Sequence, residues 1–213
     1  MHITAKLIDA TATALALLLG FEHPADAVLS RFFRDNRALG QRERAFVAET
    51  AYAVLRRRRL LERLLGAEAS PRLLVLAALV KLFGVSRRQL EQALGEKELQ
   101  WVARFKGRQA GALTPAEQAD FPDWLAERLL AQMTPAEFLD LAQGLNRPAP
   151  LDLRVNPLKA GREAVLAQLN AEGIAAAAGR FSPLAIRLQA KPALQKHPLY
   201  LDGAIEVQDE GSQ

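Results

Sequence analysis

The chain has 213 residues, half of them hydrophobic, and 28 Lys and Arg against 24 Asp and Glu give it a formal charge of +4. Without a single cysteine it can hold neither a disulfide nor a cysteine-zinc site, and it offers no thiol nucleophile. No apolar run approaches the ~20 residues of a membrane span, and Met1–Gly20 lacks the charge pattern and cleavage site of a secretory signal, so a cytoplasmic protein without membrane attachment is expected.

In chain order, Ile3–Leu19 places apolar residues on a helical period and ends at Gly20. His23-Pro24 opens a short amphipathic helix that runs through Phe32-Phe33 to the turn residues Asp35-Asn36-Arg37. Gln41–Leu65 is the longest helical pattern, with Val47, Ala51, Val54, Leu61, Leu64 and Leu65 as its buried stripe. Within it Arg56–Arg59 span about 300° of the helix circumference. Arg58 falls on the stripe, where it has to snorkel, pair with an acid or sit at the edge of the core. Ser70-Pro71 caps a nearly all-apolar and therefore central helix, Arg72–Phe83. Helices over Arg87–Leu94 and Lys97–Lys106 follow. Thr114-Pro-Ala-Glu117 and Thr134-Pro-Ala-Glu137 are both capping boxes, and Phe121-Pro-Asp-Trp-Leu opens a helix between them.

Arg147–Pro157 marks a change of architecture. Pro148, Pro150 and Pro157 oppose helix, while Leu151, Leu153 and Val155 alternate with Asp152, Arg154 and Asn156 in the period of a half-buried strand. Beyond it come a helix over Arg162–Glu172, a strand over Leu184–Leu188, a turn or short helix over Pro192–His197 and a last strand over Ala204–Gln208. Leu151–Val155, Leu184–Leu188 and Ala204–Val207 are expected to share one sheet, with Arg162–Glu172 packed on it.

The charge is unevenly placed: residues 1–110 carry +8, residues 111–146 carry −5 and residues 147–213 carry +1. Ten arginines face four acids between Arg31 and Arg63, with no lysine. Arginine gives the planar, bidentate phosphate recognition that lysine does not, so this stripe favours nucleic acid; the alternative is a solvated helical face. Arg31, Arg34, Arg37, Arg42 and Arg44, with Arg56, Arg57 and Arg59, are the candidate RNA-backbone residues. His2, His23 and His197 have no metal-ligand spacing, there is no glycine-rich phosphate loop, and Asp209-Glu210, adjacent on an expected strand, would face opposite ways.

Four motifs stand in order: Leu39-Gly-Gln-Arg-Glu-Arg-Ala-Phe-Val-Ala-Glu-Thr-Ala-Tyr-Ala-Val-Leu-Arg, Phe121-Pro-Asp-Trp-Leu, Leu153-Arg-Val-Asn-Pro and Val207-Gln-Asp-Glu-Gly-Ser-Gln213. Together they resemble the Sun/Fmu/RsmB family, S-adenosylmethionine-dependent enzymes that methylate C5 of cytosine in ribosomal RNA. The resemblance implies a mainly α chain: a NusB-like helical RNA-binding bundle over residues 1–145, a junction at 146–150, and a small, incomplete α+β (βαβ-type) domain over 151–213. That last domain would lead into a methyltransferase domain absent from this sequence. The resemblance further implies ribosomal RNA and that catalytic domain as partners. The chain alone would be an inactive RNA-recruiting fragment that holds no cofactor. Gln208, Asp209 and Ser212 would approach S-adenosylmethionine only in the full-length protein. The alternative is a free-standing NusB-like module that binds RNA or protein in transcription.

Overall fold

The computed structural model describes residues 2–147 and 149–213, so Pro148 of the expected junction lies outside the described residues. The chain divides into a helical unit ending at Asn146 and a smaller unit beginning at Arg147.

The helical unit comprises α1 (Ala5–Leu18), α2 (Ala25–Asp35), α3 (Gln41–Arg56), α4 (Arg58–Leu65), α5 (Pro71–Lys81), α6 (Arg87–Leu90), α7 (Glu96–Lys106), α8 (Pro115–Ala119), α9 (Asp123–Leu130) and α10 (Pro135–Asn146). Side chains cap several helix starts, Ser70 and Thr114 where the sequence placed them and Thr4 in addition. Thr4 accepts from the Leu7 N–H, Ser70 from Leu73, and Thr114 from Glu117, whose own carboxylate accepts from the Thr114 N–H. Helix α5 is central, since every residue from Leu74 to Val80 is buried. α1, α3 and α4 pack against it, joining Leu15, Val54 and Leu61 to one core, while Leu7, Leu18, Leu29, Phe32 and Val47 close a second core under α2. Helices α8–α10 have a small core of their own, in which Ala116, Ala119, Ala126 and Ala142 surround Phe138, and the Phe121 ring meets Phe138 edge-on at 5.6 Å.

The long helix expected over Gln41–Leu65 is in fact two. The chain breaks at Arg57, which lies at φ −116°, ψ 26° and bonds back to both the Ala53 and Val54 carbonyls. Nothing local demands the break, for the apolar period passes through it intact. What stabilises it is a carboxylate sixty residues away: Asp120 accepts from the N–H of Leu60, an unpaired donor in the first turn of α4, at 2.9 Å. The break also removes Arg58 from the buried stripe. Its side chain is 38% exposed, bonded to Glu62 at 2.6 Å and set over the Phe21 ring.

The second unit comprises β1 (Leu151–Val155), α11 (Arg162–Ala171), β2 (Ala176–Ala178), β3 (Ala185–Leu188), α12 (Pro198–Leu201) and β4 (Ile205–Val207). Its sheet runs β2-β3-β1-β4, antiparallel throughout, the order of a βαββαβ ferredoxin-like fold whose second helix is one turn long. The mainly α chain with a small α+β unit, and the pairing of β1, β3 and β4 in one sheet, are as expected from sequence. β2 and the helical turn α12 are additions, while the turn expected over Pro192–His197 is present, closed by the His197 N–H on the Leu194 carbonyl at 2.9 Å. Leu153, Val155, Ile186, Leu188 and Ile205 face Val165 and Leu169 of α11. At the β2 edge the Asn170 side chain bonds both the N–H and the carbonyl of Ala176, each at 3.1 Å.

Candidate nucleic-acid interface

Of the ten arginines between Arg31 and Arg63, all but Arg56 and Arg58 fall into two groups by what they touch. Arg31, Arg34, Arg37 and Arg42 are exposed and make no ion pair among the described residues. Arg31 and Arg34 lie on the second half of α2, Arg37 in the turn that follows, and Arg42 and Arg44 on the first turn of α3. Two contacts draw this corner together. Arg37 donates to the Arg34 carbonyl at 3.4 Å, and the half-buried Arg44 donates to the Leu39 carbonyl at 2.8 Å with its guanidinium 5.8 Å from the centre of the Phe33 ring. The α2–α3 corner therefore presents several guanidiniums to solvent that pair with no carboxylate among the described residues.

The second group is engaged inside the fold, which corrects the single basic surface expected from sequence. Arg57 lies 3.1 Å from Asp120, whose side chain is 2% exposed. Arg59 bonds the Phe121 carbonyl and reaches Asp123 at 2.9 Å, and Arg63 stands 3.9 Å from Glu117. The acidic stretch 111–146 is thus the counter-charge of the α4 arginines, and Arg57 and Arg59 are clasps between α4 and α8–α9. Burial pushes the Asp120 carboxyl above its ordinary range, with the Leu60 N–H and Arg57 pulling it back down. Arg56 is exposed and unpaired among the described residues, but it sits at the far end of α3, about 18 Å along the axis from Arg44. It does not belong to the corner.

Gln208, Asp209 and Ser212 are not gathered into a site either. The half-buried Gln208 turns its amide to the Ser212 carbonyl at 3.0 Å, and Asp209 and Ser212 are exposed. Their neighbour Glu210 is the residue that sequence reasoning missed. β4 ends at Val207, so Asp209 and Glu210 are not on a strand, and Glu210 turns inward. Its carboxylate accepts from the N–H groups of Phe181 at 2.6 Å and Ser182 at 3.1 Å and stands 3.5 Å from Arg187, which also grips Asp152 at 2.7 and 2.8 Å. The two N–H groups hold the Glu210 carboxyl below its ordinary range, and the Arg187 guanidinium does the same for Asp152. Every partner is internal, so this cluster is structural. A Cβ on Gly179 would press on Ala185 and come within 2.5 Å of the Glu210 oxygen, so any side chain there would force its neighbours to shift. Among the described residues no three His, Cys, Asp or Glu gather to hold a metal ion, and no helix is long and apolar enough to cross a membrane.

Residues 121–195 match the family model for the RsmF/B-like methyltransferase ferredoxin-like domain. The ribosomal RNA small subunit methyltransferase B of Sodalis glossinidius is 35% identical over 116 residues, which are 53% of this chain and 27% of that one. Over these residues the chain is similar to the Sun/Fmu/RsmB family. A probable ribosomal RNA small subunit methyltransferase B of Synechocystis sp. is 36% identical over 98 residues, 46% of this chain and 22% of that one. The chain thus spans about a quarter of the length of the curated Sun/Fmu/RsmB relatives it matches. The crystal structure of PH0851 shares the fold over the whole chain and 54% of its own length, with a TM-score of 0.63 at 18% identity. The family's ferredoxin-like match starts at Phe121, inside the helical unit and at the residue whose carbonyl Arg59 holds.

Proposed function

We propose that this chain recruits ribosomal RNA for an S-adenosylmethionine-dependent cytosine-C5 methyltransferase, with the α2–α3 corner of a NusB-like helical unit as its hold on the RNA backbone. The carrying observation is the contrast between the two groups of arginines. Those at 57, 59 and 63 are neutralised by the acidic stretch, whereas those at 31, 34, 37 and 42 stand exposed without a carboxylate partner among the described residues. Such guanidiniums on adjoining elements suit phosphates spaced along a strand. Similarity to proteins named ribosomal RNA small subunit methyltransferases supports RNA as the polyanion.

The methyl-transfer step belongs elsewhere in this reading. Attack on C6 of cytosine needs a thiolate, and the 213 residues contain no cysteine. The catalytic residues and the hold on S-adenosylmethionine therefore fall to the part of such proteins that this chain does not match. The test is RNA affinity against salt. Each phosphate contact releases counterions and contributes about 0.7–0.9 to the log–log slope. Changing Arg34, Arg37 and Arg42 together to Ala is expected to reduce the slope by about two to three units with an unchanged thermal melt. An unchanged slope would return the corner to a solvated face.

A further inference from the structure

Beside the arginine corner, α1, α2 and the loop between them enclose a cleft of about 750 Å³. That is within the ~300–1,000 Å³ of sites for small ligands. Leu17 and Val28 give it apolar surface, Arg31 and Arg34 line it as well, and Glu22 and Asp35 bring two carboxylates. Arg31 and Arg34 pair with neither acid, although all four share the cleft. Leu17 is 56% exposed. Guanidiniums, an apolar surface and hydrogen-bond acceptors thus line one concavity, and a nucleotide needs all three: an anion site, a contact for the face of a base and acceptors for its N–H edge.

We propose that this cleft receives one unpaired nucleotide of an RNA strand, with its phosphate on Arg31 and Arg34, its base against Leu17 and Val28, and its edge N–H groups on Glu22 or Asp35. The proposal rests on the reading of the corner as an RNA surface and adds a selection to it. A base in a duplex is stacked and its pairing edge is occupied, so it cannot enter, whereas a base in a loop or single strand can be splayed out and inserted. The corner would then discriminate unpaired from paired RNA, which phosphate contacts alone do not do.

The full chain would be titrated into a labelled unstructured ten-nucleotide RNA and into a hairpin duplex with the same number of phosphates, over a range of salt. Two variants perturb the cleft without changing charge. Ala27→Trp fills it from an exposed helical position that lines it, and Leu17→Ala removes apolar surface; thermal melts check both folds. Wild type is expected to prefer the single strand by about tenfold, the gain from one base contact. Each variant should lose about that factor on the single strand alone, with an unchanged salt slope. Equal wild-type affinity for the two RNAs overturns the proposal. So does undiminished single-strand binding by both variants. In that case an arginine-dependent slope would leave the phosphate surface standing, and the cleft would serve a peptide side chain or no ligand. Absence of RNA binding by wild type at about 50 mM salt removes the cleft and the RNA surface together.

Discussion

Replacing Asp120 tests whether a distant carboxylate sets the break between α3 and α4. Asp120 has three attributes to lose: an oxygen that accepts from the Leu60 N–H at 2.9 Å, an ion pair with Arg57 at 3.1 Å, and tolerance of a left-handed backbone at φ 55°. Replacing a capping side chain by Ala costs about 1–2 kcal/mol, with the upper end apt where the side chain is 2% exposed. Alanine in the left-handed region adds about 1 kcal/mol. Asp120→Ala should therefore destabilise the helical unit by about 2–3 kcal/mol. Asp120→Asn keeps the acceptor and the backbone tolerance, and it removes a charge that burial already disfavours, which offsets the lost pair with Arg57. It should stay within about 1 kcal/mol of wild type. Asp120→Gly frees the backbone but not the cap, so its difference from Ala reads the left-handed contribution by itself. Urea unfolding followed by circular dichroism measures all three. Asp120→Asn as damaging as Asp120→Ala would mean the charge pair dominates, and Asp120→Ala within about 0.5 kcal/mol of wild type would refute capping altogether.

Arg58→Ala should cost no more than about 1 kcal/mol, because its half-exposed partner Glu62 is on the same helix, and a larger loss in thermal melts would place Arg58 back in the core. Gly179→Ala should destabilise the second unit by about 1–3 kcal/mol, since the new methyl collides with Ala185 and the Glu210 carboxylate; an unshifted urea midpoint would show that the loop yields freely. Asp152 and Glu210 are both depressed in the fold, so the unfolded chain binds more protons in the acid range. Their stabilisation is complete above the unfolded carboxylate values and is lost as pH falls through the folded ones. Melting of the second unit should accordingly decline below about pH 4, and Glu210→Gln should lower the plateau and flatten the decline. A decline of wild-type size in that variant would remove Glu210 as its source.

Strands β1, β3 and β4 were legible because Leu, Val and Ile alternate with charged residues, and their burial on one face leaves one register. β2 was not, because Ala176–Ala178 has neither alternation nor strand propensity, and only its pairing with β3 and its bonds to Asn170 define it. The one-turn helix α12 was missed for a similar reason. His197 acts as its cap, accepting from the Leu199 N–H, and a histidine is a weak sequence signal for that role. At the candidate site, arginine density told where charge accumulates but not which guanidiniums remain available. Arg57, Arg59 and Arg63 find their acids some sixty residues later in the chain, a separation at which no local pattern speaks. Arg31, Arg34, Arg37 and Arg42 are exposed and pair with no acid among the described residues, which a local count of charge could not by itself establish.

The two bonds from Asn170 to Ala176 reach beyond local structure. A sheet margin made of three alanines has no charge, bulk or proline to deter another chain from adding a strand. In the β2–β3 register Ala177 pairs inward, and Ala176 and Ala178 turn their backbone groups outward. Asn170 occupies the outward donor and acceptor of Ala176 with its own amide, as a neighbouring strand would. The margin is thereby shortened to a single available residue, too little to template a ladder. One side chain on the covering helix thus takes up the bonds through which a further strand would begin to add at this border.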